Sequence, residues 1–158
     1  MLQRIQTLYL AVVAIACILL FFFPLANYYH ELQGNYKFFI YGIRSMDPEP
    51  GKAFSLFFTV PLMFFVIASF IFTIATILLY KNRPLQIRLC AFNVLTIIVL
   101  IMVIFFFYAT KIKSLTQIEP EYNLIGMGLP LVSLVFLILA HRAIKKDEAL
   151  VKASDRLR

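Results

Sequence analysis

Metal or thiol chemistry in this chain would have to come from two histidines, His30 and His141, and two cysteines, Cys17 and Cys90. A metal centre needs His, Cys or carboxylates gathered at ligand spacing. The chain has no Cys-x-x-Cys, no His-Glu-x-x-His, no Gly-rich phosphate loop and no Gly-x-Ser-x-Gly. Both cysteines fall in apolar stretches and read as small buried hydrophobes. His30, beside Glu31 and tyrosines, reads as an interfacial side chain. No catalytic, cofactor-binding or metal-ligating residue is assigned, so the expectation is a protein that is not an enzyme and carries no cofactor.

The elements that could position any chemistry are long apolar runs. Sixty-two per cent of the residues are hydrophobic and the mean hydropathy is +0.88. That exceeds what a water-soluble surface can cover with polar groups, so the excess must face lipid. A spanning helix needs about 20 predominantly apolar residues, and four stretches qualify: about 7–26, 54–80, 89–110 and 124–140. The runs are continuous, whereas a membrane barrel strand alternates over about ten residues, and backbone satisfaction in lipid then requires helices. The second stretch is longer than the ~30 Å hydrocarbon core needs, with Pro61 a plausible kink point. The first reads as a retained signal anchor. The expected fold is a single all-α membrane domain, an up-down bundle of four transmembrane helices with a small extracytoplasmic β-hairpin.

Charge sets the orientation. The N-terminus, the loop 81–88 and the tail 141–158 carry ten of the fifteen Lys and Arg against three acids, a net +7; segments 27–53 and 111–123 balance to zero. The positive-inside rule puts the basic side, with both termini, in the cytoplasm. Tyr28, Tyr29, Tyr80, Tyr108 and Tyr122 lie near span ends, as an aromatic belt requires. The basic excess therefore marks topology and attraction to anionic headgroups of membrane lipids, and no nucleic-acid partner is expected.

The outer loop 27–53 shows aromatic and β-branched residues around Gly34-Asn35, a hairpin signal with strands near 28–33 and 36–43. Residues 46–51 read as an irregular return. In the tail, Ile144, Leu150, Val151 and Leu157 recur at roughly heptad spacing, and Glu148 to Lys152 is a favourable i,i+4 pair. The tail should continue the fourth helix. Its stripe either rests on the membrane surface or docks a partner helix.

No ionisable residue occurs within the four stretches, which disfavours an ion-coupled carrier. The polar residues there are hydroxyls plus Asn93, the side chain least tolerable facing lipid and expected to join helices. Cys17 lies about ten residues into its stretch and Cys90 about two, a depth difference of roughly 12 Å. A disulfide needs Cα atoms within about 7 Å, so none is expected.

Three segments then carry a resemblance: Met1 to Leu10, Arg83 to Cys90, and Arg142 to Glu148 with Asp155 to Arg158. Together they resemble a family of small four-span inner-membrane proteins of Bacteroidota, a domain of unknown function, over essentially the whole chain. The resemblance implies an inner membrane and four helices. It implies no activity and no functional residues. All three segments lie on the basic side, where Gln3, Arg4, Gln6, Arg83, Gln86, Arg88 and Arg142 could gather, tying helix ends together or meeting a partner or headgroup.

Three functions are weighed. The first is a non-catalytic accessory subunit of a larger envelope complex, with other membrane subunits as partners. The second is a binder of lipid or another small hydrophobic ligand, with Phe21–Phe23 and Phe105–Phe107 lining a groove. A small transporter ranks third, for want of coupling residues or an internal repeat.

Overall fold

The computed structural model describes residues 2–29, 35–46 and 56–156. The chain is mostly helical, with a small antiparallel sheet at one end. Helix α1 spans Leu2–Leu19, α2 Val60–Leu78 and α3 Arg83–Met102. A π-helical stretch, Val103–Ala109, carries α3 on into α4, Thr110–Thr116; α5 spans Leu124–Arg156. Among the described residues, three helical stretches are long and apolar enough to cross a membrane: Val60–Leu78, Arg83–Leu115 and Leu124–Val151. The apolar part of α1, Ile5–Leu19, is shorter.

Proline and polar side chains account for where the helices begin and end. Helix α1 stops at Leu19, not near 26, because Pro24 offers no N–H and disfavours helix at the residue before it. Beyond it, the Leu25 N–H donates to the Phe38 carbonyl and the chain enters the sheet. Pro61 lies in the first turn of α2 and kinks nothing; the 27-residue second span is replaced by a 19-residue helix preceded by a 3-10 turn at Leu56–Phe58. Pro84 likewise opens α3 six residues before the expected start, placing Arg83, Gln86 and Arg88 on the helix and not in a loop. Helix α5 runs unbroken from the fourth apolar stretch through the tail, as the sequence suggests, despite Pro130 within it.

The π-helix has a packing consequence. Leu100, Ile104, Tyr108 and Ile112 are all buried at four-residue spacing. Over those twelve residues an unbroken α-helix would rotate the last position about 120° off the first. The wider π turn cancels that drift and holds one face against the core. Tyr108 therefore points inward rather than to a membrane belt, stacking on Phe38 at 5.7 Å and donating its hydroxyl to the Phe58 carbonyl. Tyr28 is buried too, whereas Tyr29, Tyr80 and Tyr122 are exposed.

The expected hairpin is part of a larger sheet. Strands β1 (Ala26–Tyr28), β2 (Tyr36–Phe39), β3 (Gly42–Ser45) and β4 (Glu121–Tyr122) run antiparallel in the order β3-β2-β1-β4. Tyr28 pairs with Tyr36, and the second expected strand turns back at Ile40-Tyr41 so that Phe39 pairs with Gly42. Gly34, the expected turn, and most of the irregular return 46–51 lie outside the described residues. The fourth strand comes from the segment between α4 and α5, with Ala26 opposite Tyr122. One sheet face, Ala26, Tyr28, Tyr36 and Phe38, is buried on the bundle.

The start of α5 locks sheet to bundle. The Asn123 N–H donates to the Leu25 carbonyl, and Asn123 Oδ1 caps the Ile125 and Gly126 amides at 3.0 and 3.1 Å. A Cβ on Gly126 would lie 2.7 Å from the Pro24 carbonyl carbon and 3.1 Å from Leu25 Cα, whereas one on Gly128 meets open space. Gly126→Ala should therefore cost about 1–3 kcal/mol, read as a lower thermal midpoint in mild detergent, and Gly128→Ala should be neutral or slightly stabilising.

Candidate functional site

The most concentrated polar chemistry is buried at the meeting of α1, α2 and α3. Ser69, Thr73 and Asn93 are each fully buried. Ser69 Oγ donates to Asn93 Oδ1 at 2.7 Å. Asn93 Nδ2 donates to Thr73 Oγ1 at 2.8 Å and to the Ser69 carbonyl at 3.2 Å. Thr73 Oγ1 donates to that same carbonyl at 2.8 Å, and Cys17 Sγ lies 3.8 Å from Ser69 Oγ. Asn93 thus joins helices as its sequence setting suggests. The hydrogen-bonding hydrogens of Ser69, Thr73 and Asn93 are all committed within the protein. Cys90, one turn from Asn93, turns instead to the Leu137 carbonyl at 3.6 Å. Both thiols are free, and they serve different seams, Cys17 facing Ser69 on α2 and Cys90 facing α5.

Among the described side chains, the Gln and Arg residues of the basic end divide among several contacts. Gln6 Nε2 donates to the Ala143 carbonyl at 3.2 Å, joining α1 to α5. Gln86 Nε2 donates to the Thr76 carbonyl at 3.1 Å, joining α3 to α2. Arg83 reaches α5 twice, at the Asp147 carboxylate (3.4 Å) and carbonyl (3.3 Å). Arg88 and Arg142 are exposed. The side chains of Gln3 and Arg4 lie outside those described. These contacts gather the starts of α1 and α3, the end of α2 and the second half of α5 at one end of the bundle.

The tail stripe is divided as well. Ile144 is buried in the core and cannot meet a partner, because the bundle still encloses α5 at that level. Leu150 and Val151 are exposed on the overhang, at 51% and 39%. Leu157 lies outside the described residues. The phenylalanines do not share one groove either. Phe21 and Phe22 line an apolar groove of 340 Å³ between α1 and α2 with Val66 and Phe70. Phe105 belongs to a separate cavity at the sheet end, and Phe106 and Phe107 are exposed.

A family model described as "Domain of unknown function (DUF4293)" matches residues 2–157. The chain belongs to that family. No curated protein and no solved structure matches it. Membership in DUF4293 covers the whole bundle and sheet but assigns no role to any of the residues above.

Two polar features of this DUF4293 chain were hidden from sequence reasoning. Asn27 Oδ1 and Tyr28 Oη, neighbours on β1, are buried with no hydrogen-bond partner among the described residues. Burial, and after it the nearby Tyr122, pushes the Tyr28 hydroxyl above the ordinary tyrosine range. The neutral form is therefore the stable one: any stability tied to it is complete below about pH 10 and is lost as pH rises further. Tyr28→Phe removes an unpaired hydroxyl and should raise stability by about 1 kcal/mol, with less alkaline loss in a melting series from pH 8 to pH 11. For the buried circuit, a Ser69→Ala/Asn93→Leu double-mutant cycle in detergent should return a coupling of about 0.6–1.7 kcal/mol, with Asn93→Leu the costlier single change.

Proposed function

We propose that the protein is a four-span protein of a bacterial inner membrane, with both termini cytoplasmic, that acts as a non-catalytic accessory subunit of a larger envelope complex. The observation that carries this reading is the division of polar groups. Inside the bundle they are spent on one another, as at Ser69, Thr73 and Asn93. Among the described residues, the charged side chains left exposed lie towards the two ends: on the sheet and α4 at one, and at Lys81, Arg88, Arg142 and the overhang of α5 at the other. No charged side chain is buried among the described residues, which argues against a coupled transporter.

Helix length supports four spans. Helix α1, at 18 residues, is about 27 Å long and packs against α2 and α5. Helix α5, at 33 residues, is about 50 Å long and so exceeds a ~30 Å core by about 20 Å. That overhang carries exposed Lys145 and Lys146, and beyond them Leu150 and Val151. The basic excess supports a cytoplasmic position for it. An exposed apolar pair on a helix outside the lipid suits docking into a groove of a partner subunit.

The α1–α2 groove favours a second reading, retention of a lipid chain or similar hydrophobic ligand. Its walls are Cys17 with Ile, Val and Phe side chains, and hold none of the Gly, Ala, Ser or Thr that mark close helix–helix contacts in membranes.

Tagging the C-terminus at the native locus, solubilising gently and identifying what co-purifies tests the main reading. A stoichiometric membrane partner is expected. The paired change Leu150→Asp/Val151→Asp should release it at least about tenfold while leaving the protein in the membrane. A chain that emerges alone from several mild detergents would sink the subunit reading.

A further inference from the structure

The sheet end of the bundle holds an open cavity of 540 Å³ beside α4 and β4. Its lining divides by chemistry. Phe105 and Tyr122, whose rings meet at 5.4 Å, form an apolar wall. Thr110, Lys113, Gln117 and Glu119 supply the polar one. Gln117 closes α4 in the left-handed conformation, φ 60°, and its N–H returns to the Lys113 carbonyl. That reversal brings Glu119 back beside Lys113, and the two pair at the cavity. Two bulky apolar side chains close in sequence to the aromatic wall are exposed: Phe106, next to Phe105, at 77%, and Leu124, two residues beyond Tyr122, at 89%.

We propose that this cavity holds the headgroup of a zwitterionic, amine-bearing phospholipid of the extracytoplasmic leaflet, with its chains lying along Phe106 and Leu124. The phosphate meets the Lys113 ammonium. The lipid's own ammonium meets the Glu119 carboxylate and the faces of Phe105 and Tyr122. The present pair does not oppose the exchange, since both side chains are more than half exposed, at 52% and 78%, and such pairs are worth about 0–1 kcal/mol. Charge selects the class. An anionic headgroup would face Glu119 and a purely cationic one would face Lys113, whereas a zwitterion satisfies both. The adjoining apolar surface selects a lipid over a soluble aminophosphate. The inference rests on the membrane insertion proposed above but not on the accessory role.

The test places the full chain in nanodiscs of equimolar phosphatidylethanolamine and phosphatidylglycerol with identical chains, then counts retained lipids by native mass spectrometry. Wild type should keep phosphatidylethanolamine in clear excess. Lys113→Gln and Glu119→Gln should each reduce that retention about fivefold, equivalent to about 1 kcal/mol, with an unchanged thermal midpoint as the sign of an intact fold. Equal retention of both lipids by wild type, or wild-type retention by both variants, overturns the proposal. Failure of the wild-type chain to enter nanodiscs would overturn the membrane reading beneath it, an outcome distinct from lost selectivity.

Discussion

A hydroxyl has one hydrogen to give, and at Ser69 it goes to Asn93 on the neighbouring helix. Much of the bundle depends on that choice. Most hydroxyls on these helices donate to a carbonyl of their own helix three or four residues back, as Thr76, Thr96 and Ser133 do. Those bonds satisfy the hydroxyl and leave neighbouring helices free to rotate. Ser69 instead donates across to α3, and Asn93 returns two donors to α2. A buried amide without partners in an apolar medium costs several kcal/mol. Rotating α3 against α2 would orphan three groups at once, so the circuit fixes both register and rotation. Cys17 brings α1 to the same point.

The ends are fixed by a second rule: each helix end leaves backbone groups that need partners. Side chains from other helices supply some of them. Gln86 takes the Thr76 carbonyl near the end of α2, and Asn123 caps the start of α5. Gly126 lets that same start approach Pro24 closely, and the Leu25 carbonyl receives the Asn123 amide. The sheet therefore continues the helix ends, with Tyr108 reaching from α3's extension to stack beneath β2.

This explains what could be read directly from the residues. Continuous apolar runs of about twenty residues announce helices because such a run, without the alternation of a barrel strand, can satisfy its backbone in lipid only within itself, and Asn93 stood out because its amide is the costliest side chain to leave alone there. Helix starts were less legible: Pro61 and Pro84 mark first turns as readily as kinks or loops, and their roles depend on which polar group lies nearby to receive the helix end. The fourth strand was illegible because Glu121-Tyr122 is two residues long and forms only where α5 begins. Burial of Ile144 and Tyr108 depended on tertiary geometry: the first on how far the bundle encloses α5, the second on a π turn that no simple period reveals.

The same accounting bears on where activity can lie. A bundle whose central polar groups answer one another offers a substrate nothing without first breaking a helix contact, and breaking it would loosen the register of α1, α2 and α3 together. Groups held by weak or exposed contacts carry no such penalty. Arg88 and Arg142 are exposed at the basic end, and Lys113 and Glu119 sit in a mostly exposed pair at the sheet end. An exposed ion pair is screened and weakly held, so a ligand can take either partner while the helices stay as they are. The charged groups free to meet a ligand in the proposed roles therefore lie towards the two ends, separated by a core whose own polar groups are already paired.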